Sequence, residues 1–218
     1  EGVDTIDGGV GNDAINGGGG NDLLSGGDNN DIMDGGLGND TVNGGGGSDI
    51  INASQGDDTI DAGADNDNIF MGTGLDPADS VEGGTGTDTL HFVDSVAYTT
   101  ELNNVYGVEV VTLGNTGTNA NIVFHATQTG NDQFTHIKWN EVGKSISING
   151  ASIDSGHSLT FDGSHVTEYG AFNIVGGHGN DTLTGSASAV DSDSNPIGDT
   201  ISGGEGDDTI NGLAGNDT

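Results

Sequence analysis

Gly8-Gly9-Val10-Gly11-Asn12-Asp13-Ala14-Ile15-Asn16 decides the fold, because it comes back every nine residues. Written G-G-x-G-x-D-x-U-x, with U a large aliphatic, it recurs intact from Gly8, Gly17, Gly35, Gly44, Gly83, Gly176 and Gly203. Flawed copies in the same register start at Gly26, Ala53, Ala62 and Met71. A fixed period sets an architecture of stacked repeats before any other feature of a chain. The six Gly-rich residues are costly to order as helix or long strand and predict a turn. The three that follow, such as Thr41-Val42-Asn43, alternate polar, apolar, polar and predict a very short strand with its centre facing inward. Turn and strand at constant length coil into a solenoid. Where the fourth position loses its glycine it holds Asn29 or Asp65. These residue types best tolerate φ > 0, so the backbone demand is predicted to survive the exchange.

One aliphatic per nine residues is too little burial to offset the ordering of the backbone, so another agent must hold the folded form. The sixth position names it: Asp4, Asp13, Asp22, Asp31, Asp40, Asp49, Asp58 and Asp67 march at nine. Asp79, Asp88, Asp181, Asp199, Asp208 and Asp217 hold the same place further on. Carboxylates and the carbonyls of glycine turns are hard oxygen donors, which suit Ca²⁺ with its six to eight flexible oxygens. The candidate carbonyl donors are Gly9, Gly11, Gly18, Gly20, Gly36, Gly38, Gly45 and Gly47, with Gly84 and Gly86 later in the first array. Gly177, Gly179, Gly204 and Gly206 are their counterparts near the end of the sequence. A disordered acidic tail would show no phase relation between Gly, Asp and aliphatics, and here the relation is strict.

The repeats resemble the RTX nonapeptide family, the calcium-binding β-roll repeats of secreted bacterial toxins, proteases, lipases, epimerases, adhesins and S-layer proteins. The resemblance covers about residues 1–91 and 176–218. It implies an all-β fold, a right-handed parallel β-roll in which two nonapeptides make one turn. Each ion would then sit between loops n and n+2, bridging pairs such as Asp13 with Asp31 and Asp22 with Asp40. It also implies a module that stays unfolded in the low-calcium cytosol and folds outside after type I export.

Composition agrees with a thin-cored, cation-dependent object. The chain has 218 residues, 43 Gly, no Cys and a formal net charge of −33. Its hydrophobic content of 30% is too low for an ordinary compact core. The two basic residues, Lys138 and Lys144, both lie in the middle, so counter-charge for the repeats must come from cations in solution. Nucleic acid and anionic membrane surfaces are poor partners for such a chain. Without Cys there are no disulfides or cysteine–zinc sites, and no apolar run approaches membrane-spanning length. The sequence opens and stops inside repeats, at Glu1 and at Gly215-Asn216-Asp217-Thr218, and is expected to be a piece of a longer protein.

Three regions are expected: a roll over residues 1–91, a β-rich insert over 92–175 and a second roll over 176–218. The inward aliphatics of the first read Ile6, Ile15, Leu24, Met33, Val42, Ile51, Ile60, Ile69, Val81 and Leu90. A three-residue insertion near Leu75-Asp76-Pro77-Ala78 passes the Asp position to Asp79, with Asp76 either a spare ligand or solvated. In the middle, apolar runs at Val108–Leu113, Asn121–Phe124, His136–Trp139, Ser145–Ile148, Ser158–Phe161 and Ala171–Val175 predict strands. They are expected to form a wider, more apolar continuation of the coil, with a β-sandwich as the alternative. Its core would draw on Val123, Phe124, Leu159, Phe161, Phe172 and Ile174, and Trp139 and Tyr169 are the first candidates for a binding face. Asp191-Ser192-Asp193-Ser194-Asn195 alternates like the start of an EF-hand loop, but Pro196 and Ser202 stand where that loop needs Gly and Glu. That leaves at most an extra, weaker calcium loop.

Catalytic signals are missing. Gly143-Lys144-Ser145 has Lys138 where a phosphate-binding loop needs Gly, and there is neither H-E-x-x-H nor G-x-S-x-G. His125, His136, His157 and His165 show no spacing that suggests a shared metal face. The function expected is therefore not enzymatic. It is a calcium-binding structural module of a large secreted or cell-surface bacterial protein, of the S-layer or adhesin type. The alternative is the carboxyl-terminal secretion and folding module of a type I-secreted enzyme. Calcium ions are the expected partners, with self-assembly or a surface ligand beyond them, and the location is extracellular.

Overall fold

The computed structural model describes residues 2–72, 75, 78–92, 104–114, 120–123, 145–153, 155–164, 171–188 and 196–218. Among the described residues there is no helix, and the registered strand pairs are all parallel. The chain divides into two compact units, one of Glu1–Val93 with Asn104–Glu109, the other of Asp94–Asn103 with Val110–Thr218.

In the first unit the strands are β1 (Thr5–Val10), β2 (Ala14–Gly19), β3 (Leu23–Asp28), β4 (Ile32–Leu37), β5 (Thr41–Gly46) and β6 (Ile50–Asn52). They continue as β7 (Thr59–Ala64), β8 (Asn68–Gly72), β9 (Ser80–Thr85), β10 (Thr89–Phe92) and β11 (Val105–Tyr106). Odd strands stack as β1-β3-β5-β7-β9-β11 and even ones as β2-β4-β6-β8-β10. Ile6 pairs with Leu24 and Ile15 with Met33, an offset of 18 residues, so two nonapeptides do make one turn. After the insertion the offset becomes 21, with Ile60 on Val81. The inward aliphatics from Ile15 to Leu90 are buried, and Ile6, on the edge strand β1, is half-buried.

Two backbone expectations met different outcomes. Asn29 has φ 79 and Asp65 has φ 78, so both keep the conformation of the glycine they replace. The strands of the first unit, however, are longer than the three residues expected, β6 and β11 excepted. Most run six, because the glycines after each apolar triplet also pair in register, Gly9 on Gly27 and Gly27 on Gly45. Lacking a Cβ, glycine backbones of successive turns approach closely enough to extend the ladder, which corrects the reading of that segment as pure turn.

In the second unit the strands are β12 (Val110–Leu113), β13 (Ala120–Val123), β14 (Ser145–Asn149), β15 (Leu159–Asp162), β16 (Ala171–Gly177), β17 (Thr182–Thr184), β18 (Thr200–Gly204) and β19 (Thr209–Asn211). They form two parallel stacks, β12-β14-β16-β18 and β13-β15-β17-β19. Parallel pairing along both stacks makes this a coil and sets aside the sandwich. The turns are wider: Ile146 pairs with Phe172 and Ile174 with Ile201, offsets of 26 and 27 residues. The extra length brings a fuller core, in which Phe161 and Phe172 meet edge to face at 5.0 Å and Leu159, Ile148, Ile174 and Leu183 are buried. Five of the six expected strand segments of the middle are strands, and β11 was not foreseen. His136–Trp139, Tyr169, Phe124, Asp76, Asp191–Asn195 and the side chain of Val123 lie outside the described residues.

Candidate metal centre

Each sixth-position aspartate stands two residues before an inward aliphatic, as Asp13 does before Ile15. Its side chain is too short to fold back far and instead reaches the preceding turn. Asp4 N donates to Asp22 Oδ1 at 2.8 Å, Asp22 N to Asp40 Oδ1 at 2.9 Å, Asp40 N to Asp58 Oδ1 at 2.9 Å and Asp58 N to Asp79 Oδ1 at 2.8 Å. On the opposite flank Asp13, Asp31, Asp49 and Asp67 donate in the same way to Asp31, Asp49, Asp67 and Asp88, at 2.8–2.9 Å. The pairs expected to be bridged, Asp13 with Asp31 and Asp22 with Asp40, are thus brought together, one backbone amide to one carboxylate oxygen.

The second oxygen is the unusual one. Oδ2 of Asp13, Asp22, Asp31, Asp40, Asp49, Asp67 and Asp88 is buried without a hydrogen-bond partner. In Asp13, Asp22, Asp31, Asp40 and Asp49 it lies over the first glycine of its own repeat. A Cβ on Gly8 would stand 2.7 Å from both Asp13 Oδ2 and the carbonyl oxygen of Gly26, and Gly17 repeats this with Asp22 and Gly35. That is why the first position is glycine in most copies, and where it is Ala53 or Ala62 the methyl is fully buried. A buried, unpartnered carboxylate oxygen is costly, and no Lys or Arg lies in the first unit to neutralise it. A hard cation would, taking carboxylate and carbonyl oxygens together. Among the described residues no three His, Cys, Asp or Glu converge on one point, so such a cation would draw much of its shell from backbone oxygens. This donor set fits calcium and not zinc.

The predicted glycines line the same turns. Second-position Gly9, Gly18, Gly36, Gly45, Gly84 and Gly204 have φ between 91° and 103°, and fourth-position Gly11, Gly20, Gly38, Gly47, Gly86 and Gly206 between 115° and 142°. The carbonyls of Gly9, Gly18 and Gly20 lie where a Cβ on Gly27, Gly36 or Gly38 would go, so these oxygens stack turn upon turn.

The second unit is built differently. Asp181 Oδ1 accepts from Leu159 N and Oδ2 from Gly177 N, both at 2.7 Å. Asp199 Oδ1 accepts from Phe172 N at 2.6 Å, while Oδ2 takes Ser186 N at 2.7 Å and Ser186 Oγ at 3.3 Å. Protein donors here occupy both oxygens, and Gly177 and Gly179 are not among the left-handed glycines. Asp208 and Asp217 close the column by accepting from Asp181 N and Asp199 N, each at 2.9 Å.

Two features escaped the sequence reading. Fifth-position asparagines form a second ladder in the reverse sense: Asn39 N donates to Asn21 Oδ1 and Asp57 N to Asn39 Oδ1, both at 3.1 Å. Ser48 on Asn30, Thr87 on Asn66 and Asp207 on Asn180 continue it. The recurrence of Asn before Asp was the available signal. Glu109 is the other: its Oε2 accepts from Asp88 N at 2.8 Å, and it follows Asp88 by the same 21 residues that separate Asp67 from Asp88.

Burial first, then neighbouring carboxylates, raises Asp58 and Asp67 to about 7 and Asp88 to about 6, against backbone hydrogen bonds that pull the other way. A folded-state pKa above the unfolded value means that the metal-free fold takes up protons that the unfolded chain releases, so its stability falls as pH rises through 6 to 7. A cation must displace those protons. Calcium needed for half-saturation is therefore expected to rise several-fold from pH 8 to pH 6, with protons released on binding. Calorimetry in two buffers checks this, and a pH-independent affinity would contradict it.

A family model described as the RTX calcium-binding nonapeptide repeat (4 copies) matches residues 7–42, 34–69, 43–76, 173–189 and 197–218. Comparison with curated proteins and with solved structures returned no match.

Proposed function

Because the chain belongs to the RTX calcium-binding nonapeptide repeat family, we propose that it is a non-catalytic, calcium-folded structural module of a large secreted or cell-surface bacterial protein, of the S-layer or adhesin type. The observation that carries this reading is the row of buried Oδ2 atoms without partners in the first unit. Asp13, Asp22, Asp31, Asp40, Asp49 and Asp67, with the carbonyls of the turn glycines, would hold the ions. Bound calcium supplies positive charge between like-charged turns, and the residues do the rest: each Oδ1 fixes the turn before it while Oδ2 is left for the cation. Such a chain gains order only where calcium is plentiful, which suits a protein that crosses the envelope unfolded. The fuller core of the second unit, with Phe161 and Phe172, supports a part that keeps its shape and presents a surface.

Equilibrium dialysis tests the proposal. Several calcium ions per chain should bind, with half-saturation at about 10⁻⁴–10⁻³ M, the range of extracellular modules. Saturation already at submicromolar calcium would point to an intracellular buffer instead, and no binding would end the reading.

A further inference from the structure

We propose that the short turn Gly107-Val108-Glu109 completes one more hard-cation site with Asp88, outside any nonapeptide, for a divalent ion of the calcium type. It rests on the reading that the aspartate turns bind calcium.

Asp88 is fully buried and its Oδ2 has no partner. In the regular turns such an oxygen lies beside a carbonyl of the following turn, as Asp13 Oδ2 does beside Gly26 O over Gly8. Over Gly83 that carbonyl belongs to Gly107, with Asp88 Cβ 2.9 Å from the same point. Strand register explains the placement: Val105 pairs with Val81 and Tyr106 with Glu82, which sets Gly107 beside Gly83. The turn then takes a shortcut. Only Val108 separates Gly107 from Glu109, whereas four residues separate Gly8 from Asp13.

Backbone bonds show what the shortcut costs and how it is mended. Glu109 N donates to Asp88 O at 3.1 Å, as Thr89 N does to Asp67 O at 2.9 Å. Glu109 therefore occupies the seventh position of a turn, not the sixth, where Val108 is buried and apolar. The extra methylene of glutamate carries its carboxylate back to Asp88 N, the amide that a sixth-position aspartate would have capped. One oxygen suffices for that bond. Two carboxylates and a carbonyl thus lie on neighbouring turns with no Lys or Arg in the unit to offset them. An aspartate at 109 would be too short to reach, which is the physical reason for Glu here.

Terbium, which takes calcium sites and emits when a neighbouring phenol is excited, reads this site through Tyr106, the chain neighbour of Gly107. In the full chain, Tyr106→Phe should remove a component of the sensitised emission. Glu109→Gln keeps an oxygen for Asp88 N but loses the charge, and should raise the terbium concentration for that component about tenfold or more. Val10→Thr, at an exposed residue outside the aspartate turn contacts, should leave the component in place. A wild-type chain with no Tyr106-dependent emission overturns the proposal even if Glu109→Gln unfolds, and an unchanged titration in a Glu109→Gln chain with native circular dichroism overturns it equally. Total calcium by dialysis separates the two readings: calcium bound without the Tyr106 signal rejects this site alone, and no calcium bound rejects the wider function.

Discussion

Adding a chelator to the calcium-saturated chain is expected to unfold the first unit and to spare much of the second. Among the described residues of the first unit seven aspartates keep a buried oxygen without a partner. Each such group costs about 1–3 kcal/mol when nothing satisfies it. A cation at a hundred times its dissociation constant contributes about 2.7 kcal/mol per site, so its removal along a column of turns exceeds the stability of an ordinary domain. Asp181 and Asp199 have both oxygens bound by protein donors, and Phe161 and Phe172 add a core that needs no ion. Circular dichroism should lose a large part of its β signal, and hydrogen exchange should locate the loss. Amides of β3 to β7 should exchange within the dead time while those of β14 to β16 stay protected. Equal protection of both sets after chelation would sink the account of why the aspartates are there.

A pair of neighbouring glycines gives the second large effect. Gly45 has φ 103 and a Cβ there would overlap the carbonyl of Gly27 in the turn below. Gly46, the next residue, has nothing within 4 Å of that position. Gly45→Ala should cost about 1–2 kcal/mol for the left-handed backbone and about 1–3 kcal/mol for the overlap. Gly46→Ala should be neutral or stabilise by about 0.4–1 kcal/mol, by narrowing the unfolded ensemble. Denaturant unfolding at saturating calcium measures both. Equal effects would mean that the glycines serve composition and not close stacking.

Much of this was legible in the order of residues. The nine-residue phase predicted the inward aliphatics from Ile15 to Leu90, and the step to 21 residues placed Asp79 and Asp88 correctly. Asn29 and Asp65 could be read because a positive φ leaves a compositional trace. What stayed hidden depends on the third dimension. The fifth position was treated as free because its role, an amide cap to the turn that follows, appears only when turns are stacked. Asp181 and Asp199 look like every other sixth-position residue, and only Gly177 N and Ser186 distinguish them. Glu109 sits in a segment without period, so nothing short of strand register could bring it to Asp88.

Among the described residues, the bonds from one sixth-position aspartate to the next in the first unit all point one way. Asp22 caps the amide of Asp4, Asp40 that of Asp22 and Asp58 that of Asp40. A chain emerging amino end first therefore lays down every turn unfinished, and each is locked by its successor. Errors travel in the same direction: Asp40→Ala bares the amide of Asp22 and leaves Asp40's own amide on Asp58.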